Sequence, residues 1–226
     1  MEENLTHKII DTLKSKATLK QKVFDTTLNT LKLIEEIISE IEQEYNELLD
    51  GEDNRIKVLH HKTGIYDLQL KLGSDILIFS MHTNVFQFNK ENIIWKHSYM
   101  KNNPDNGYVG QISIYNFLTD SFVYNRNDDI GYLVGRIFVN RENHYMVEGK
   151  RQMSFRDKDI SACEVNKENL RHVIETAINY TINFDLLVPP YDMIKLSTVG
   201  QMQQKAQDNK IQTGKRLGFQ FNTDDV

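Results

Sequence analysis

Apolar positions along this chain repeat with two different periods, and the place where the period changes divides the sequence. Through residue 50 they recur every three or four residues, the spacing of one face of an α-helix. Leu5, Ile9, Ile10 and Leu13 share a face of a first helix over residues 3–14. Residues 15–18 read as a break. Thr18 and Gln21 then have the spacing of a capping box opening a second helix over residues 19–49, which Asp50-Gly51 closes. In that helix Leu31, Ile34, Ile38, Ile41, Tyr45 and Leu48 step by 3, 4, 3, 4 and 3, the a/d stripe of a heptad repeat. Phe24 and Leu28 edge the stripe, and Leu33 and Ile37 widen it. A wide stripe suits a helix lying on a sheet, and a heptad seam suits a helix meeting another chain. The six stripe residues are therefore the candidate interaction surface.

From residue 55 the period becomes two. Tyr66, Leu68, Leu70 and Leu72 alternate with Asp67, Gln69 and Lys71, as in a strand with one face buried. Strands are expected at 55–61, 66–72, 76–81, 85–88, 93–96, 108–117, 122–124, 130–139 and 144–150. Turn residues lie between them, as in Gly73-Ser74-Asp75 and Asn103-Pro104-Asp105-Asn106-Gly107. The segment 130–139 is apolar on both faces and reads as a central strand. Short connections imply antiparallel neighbours. Asn166 caps a further helix, with Leu170, Val173, Ile174, Ala177 and Ile178 on one face, that ends before Pro189-Pro190. Beyond residue 195 the chain is polar, with a weak helix to about residue 209 and a tail over 213–226 that is either extended or mobile; an ordered tail would need something to hold it, a second copy being one candidate. The expected fold is α+β. It has an N-terminal helical hairpin or one long amphipathic helix, a mostly antiparallel meandering sheet of about six to eight strands, and a C-terminal helix with a polar tail. Residues 1–50 belong to one domain with 55–188; residues 195–226 stand apart.

Composition narrows the class. The chain has 226 residues, 39% of them hydrophobic and 26% charged, enough to bury a core without staples. Its one cysteine, Cys163, excludes an intrachain disulfide and a four-cysteine zinc site. The acidic start lacks the apolar run of a secretory signal, and no segment has the length of a membrane span, so the expected compartment is the cytoplasm, with no membrane partner. Charge is unevenly placed. Residues 33–54 hold nine acids and no lysine or arginine; without them the net charge of −5 becomes +4 for the remainder. That separation suits charge matching, within the chain or between chains.

Candidate chemistry is sparse. Glu148-Gly149-Lys150 has the E-x-K form of the PD-(D/E)xK nuclease core, with Asp128 or Asp129 as the acid that would complete a divalent-metal site. Such a triplet arises readily by chance in a chain rich in acids and lysines. Arg136 interrupts an apolar strand and calls for a carboxylate or a ligand anion. A four-residue turn after it would set Glu148 on the opposite face; a three- or five-residue turn would set both on one face. The seven histidines show no metal-binding spacing, and no metal or cofactor is expected. Gly131 and Gly135 suit a bulge or close strand packing rather than a phosphate loop. Aromatic residues crowd positions 86–155, but the acidic balance speaks against nucleic acid.

The leading expectation is a non-enzymatic interaction or assembly protein that associates with itself or with another protein. The alternative is a small-molecule-sensing domain with an aromatic pocket near Arg136, and below it a metal-dependent nuclease. A lined cavity would favour the sensor, clustered acids the enzyme, and a large interchain apolar surface the assembly.

Overall fold

A computed structural model describes residues 5–127, 129–149, 153, 159–185, 188, 190–196 and 198–200. The N-terminal helix is continuous. Helix α1 (Leu5–Thr12) runs through a π turn at Leu13–Ala17 into α2 (Thr18–Leu48). The break expected at 15–18 is thus a widened turn. Thr18 caps nothing; its hydroxyl donates to the Leu13 carbonyl five residues back. Gly51 follows α2 at φ +84°, a left-handed position that glycine takes without strain.

Seven antiparallel strands form one sheet: β1 (Val58–Lys62), β2 (Asp67–Leu72), β3 (Asp75–Met81), β4 (Phe86–Gln87), β5 (Tyr108–Leu118), β6 (Tyr132–Asn140) and β7 (Tyr145–Gly149). The order β1-β2-β3-β5-β6-β7, with β4 also on β5, is the expected meander. Strand β6 lies next to the edge rather than at the centre, and its apolar second face is used by a small cluster described below. Two expected strands are helical. Ile93–Lys96 is a 3-10 turn opened by the Asn92 side chain, which accepts from the Ile94 amide, and it leads into the short helix α3 (Ser98–Asn102). Residues 122–124 form the end and C-cap of α4 (Thr119–Val123), a single helical turn. Runs this short carry no readable period. Strand β1 starts at Val58 because Asp53 accepts from the Arg55 amide and holds Asn54–Ile56 in a 3-10 turn.

The sheet has two unlike faces. On one, Leu68, Leu70, Phe79, Ile112, Ile114, Ile137, Tyr145 and Val147 pack under α2 and under α5 (Lys167–Ile182) to form the main core. Leu31, Ile34, Ile38 and Ile41 are all buried in it. At its N-terminal half α2 comes so close to β5 that a Cβ on Gly110 would sit 2.0 Å from the Thr27 hydroxyl. Residues Val23, Thr27 and Thr30 extend the buried face there, with threonines where a larger side chain would clash. The far end of α2 is pinned to β1 by Asn46, which donates to the Val58 carbonyl at 2.7 Å and accepts from its amide at 2.9 Å. Four acids of the acidic segment are matched within the chain. Glu35 meets Lys62, Glu42 meets His60, Glu40 meets Lys167 and Glu44 meets Arg171.

The second face has its own small cluster at one end, where Ile94, Met100, Val109, Phe138 and Ile160 are buried with Phe88, Trp95, Tyr99 and Met146 against them. Away from that cluster it is open among the described residues, and Leu59, Tyr115 and Leu133 are exposed on it.

Candidate functional site

Arg136 stands on the open face, at the margin of the small cluster. The turn between β6 and β7 spans five residues between the paired positions Val139 and Tyr145. This register sets Arg136 directly opposite Glu148 on the same face. Arg136 Nε donates to Glu148 Oε2 at 2.7 Å, and one terminal guanidinium nitrogen also meets that oxygen. The guanidinium lies 5.1 Å from the centre of the Phe138 ring, two residues along the strand. The arginine expected to be buried is half-exposed, its side chain at 35% and that of Glu148 at 54%. A pair this open contributes little to stability, about 0–1 kcal/mol.

Beside the pair is an open cleft of about 300 Å³. Its apolar wall is Phe86, Phe88, Val109, Phe138 and Met146; its amide groups come from Gln87, Asn89, Asn92 and Gln111; Arg136 and Glu148 are its charges. Phe88 meets Phe138 edge to face, with ring centres 5.3 Å apart. Each group has a definite support. Phe138 and Arg136 stand on β6, hydrogen-bonded on both sides. Phe86 and Gln87 are held by pairing of β4 with Tyr108 and Val109. The β-bulge in β6 lies just before Arg136, where Gly135 pairs with Ile114 and Leu133 with Tyr115. Gly135 is suited to it, because a Cβ there would crowd the Glu148 carbonyl at 3.2 Å and the Met153 side chain at 3.3 Å.

The remaining sequence candidates are scattered. Asp129 is nearly buried and accepts from the Ser121 hydroxyl at 2.7 Å, with Arg126 3.8 Å away. It shares none of these partners with Glu148. Lys150 and Asp128 lie outside the described residues, as does nearly all of the polar tail. No group of three His, Cys, Asp or Glu side chains able to hold a metal occurs among the described residues. Of the six stripe residues, Leu31, Ile34, Ile38 and Ile41 lie in this chain's own core, so a second chain cannot reach them while the fold is intact. Tyr45 packs at its edge, where burial foremost and Glu175 next raise its hydroxyl pKa. Leu48 alone is freely exposed, at 77%.

Two features had no counterpart in the sequence reading. Around the β6–β7 hairpin, the Tyr99 hydroxyl donates to Glu142 at 2.7 Å and accepts from Asn140 at 2.9 Å. Burial, and then Glu142, push that hydroxyl up to about 12. Alongside, Lys14, Lys16, Lys22 and Arg141 gather about a groove of about 500 Å³ with Tyr108 and a single carboxylate, Asp105. The Lys14-x-Lys16 and Lys20-x-Lys22 runs were a visible signal for it. No helix among the described residues is long and apolar enough to cross a membrane. No family model matches the chain, and neither a curated protein nor a solved structure matches it.

Proposed function

We propose that this chain is a non-enzymatic ligand-binding protein whose site is the cleft at Arg136. It takes a small molecule with an aromatic or branched apolar body and one acidic group. The observation that carries this reading is the juxtaposition of a phenylalanine-walled cleft with an arginine whose one ionic partner among the described residues, Glu148, is exposed. Ligand sites commonly combine such a wall with a few polar groups that fix orientation. A ligand acid would take the place of Glu148 on the guanidinium, at low cost because the existing pair is weak. Binding rather than turnover is supported by the lining. Its charged groups are paired with each other, and the rest are side-chain amides and apolar side chains. We assign the cytoplasm from the single cysteine, which suits a reducing compartment.

The aromatic anion 8-anilinonaphthalene-1-sulfonate is a suitable first probe. Saturable one-to-one binding to the native protein is expected, weakened roughly ten-fold by Arg136→Met, a loss of about 1.4 kcal/mol. Absence of saturable binding, or equal binding by the variant, would remove the basis of the proposal.

A second reading, association with other macromolecules, is favoured by a surface other than the α2 stripe. Leu5, Ile9, Ile10 and Leu13 on the first helical segment are 43–70% exposed, and no residue of α1 is buried.

A further inference from the structure

We infer that α1 and the π turn form a peripheral binding element for an anionic phospholipid surface. Three observations converge on it, none of them involving the Arg136 cleft. First, the helix presents Leu5, Ile9, Ile10 and Leu13 to solvent, an apolar stripe that no described residue of this chain covers. Second, the surrounding segment is basic. Residues 5–22 hold five lysines against one acid, Asp11. Among the described residues, Lys14, Lys16, Lys20 and Lys22 make no ion pair, although four acids of α2 are matched to β1 and α5. Third, the groove beside the π turn adds Arg141 and the Tyr108 ring, which Lys16 approaches at 6.0 Å, to Lys14 and Lys22.

The π turn gives this arrangement a physical cause. A π turn takes one residue more than an α turn, so the stripe before it is rotated by roughly 100° relative to the stripe after it. The apolar face of α1 is thereby turned out of line with the face of α2 that covers the sheet. The Thr12 and Ser15 hydroxyls donate back to the Lys8 and Asp11 carbonyls at 2.8 and 2.7 Å, satisfying the chain where the register changes.

An amphipathic helix with aliphatic residues on one side and lysines beside them lies in a lipid interface, apolar face down, with its charges at anionic headgroups. A second copy of this chain is a poorer occupant. Two such segments would bring lysines together, and four aliphatic side chains cover far less than a stable protein interface. Nucleic acid would use the lysines and leave the stripe unsatisfied.

Sedimentation of the full chain with vesicles tests the assignment. Binding to phosphatidylcholine–phosphatidylglycerol vesicles should exceed binding to phosphatidylcholine vesicles at least ten-fold. It should fall at least ten-fold in Ile9→Asp and, separately, in the Lys14→Glu/Lys16→Glu double variant. Both variants change exposed side chains, so their unfolding midpoints should match the parent and show that the loss is local. Four results would overturn the assignment: no binding to either vesicle; equal binding to both; undiminished binding by Ile9→Asp; or self-association of the parent, without lipid, that Ile9→Asp abolishes.

Discussion

Tyr132 shows how a single side chain ties the fold to solution conditions. It lies at the start of β6, nearly buried, with its hydroxyl accepting from Asn116 Nδ2 at 2.8 Å. Burial is the main cause that pushes the hydroxyl up to about 12, and the Asn116 donor works the other way. Up to about pH 10, the usual tyrosine value, both folded and unfolded chains keep the proton. Between about 10 and 12 the unfolded chain releases it first, so stability falls as pH rises, by at most about 1.4 kcal/mol per pH unit for this group. Urea midpoints measured from pH 9 to 11 should therefore drop less steeply in Tyr132→Phe than in the parent, with Tyr99 supplying a similar slope to both. Parallel slopes would show that Tyr132 is not the group responsible. Position 136 teaches a different lesson at this scale. The sequence marked Arg136 as unusual but could not say what it meets, because its partner depends on the length of one turn. Five residues rather than four in that turn bring Glu148 to its side.

Among the elements, α2 shows what periodicity can and cannot decide. The stripe from Leu31 to Leu48 was legible, and so was its excess width through Leu33 and Ile37. Its destination was not, since a sheet and a second helix both accept such a face. The core resolves the choice: Ile34, Ile37, Ile38 and Ile41 are fully buried under this chain's own sheet. Ile38→Ala should accordingly cost about 2–5 kcal/mol of unfolding free energy, with the mass by light scattering unchanged. Loss of association at unaltered stability would instead return the stripe to an interchain role. The sequence pattern failed where elements are short. The turn at Ile93–Lys96 is set by the Asn92 side-chain cap and that at Thr119–Val123 by flanking hydrogen bonds such as Thr119 to the Gly73 carbonyl, which alternation of apolar residues does not encode. The π turn escaped for a similar reason, because a widened turn and a break leave the same gap in the apolar spacing.

For the whole molecule, the two faces of the sheet divide the work. One is sealed by α2 and α5 and holds the fold; the other carries a small cluster at one end and stays open beside it. The strand alternation made a one-sided sheet readable in advance. The cleft was not readable, because Phe86, Phe88, Phe138 and Met146 come from three strands and a loop whose meeting depends on the register of β5. The charge asymmetry was legible, and its meaning has two parts. Four of the acids are matched within the chain, and among the described residues Lys14, Lys16, Lys20 and Lys22 make no ion pair and remain available to an anion. Both proposed sites carry positive charge, and locating the probe separates them. Amide chemical shifts followed during a titration with 8-anilinonaphthalene-1-sulfonate are the most direct test of the Arg136 cleft. The account predicts saturating shifts centred on Phe88, Gln111, Phe138 and Met146. Shifts confined to Lys14, Lys16, Lys22 and Arg141, with the cleft silent, would contradict it.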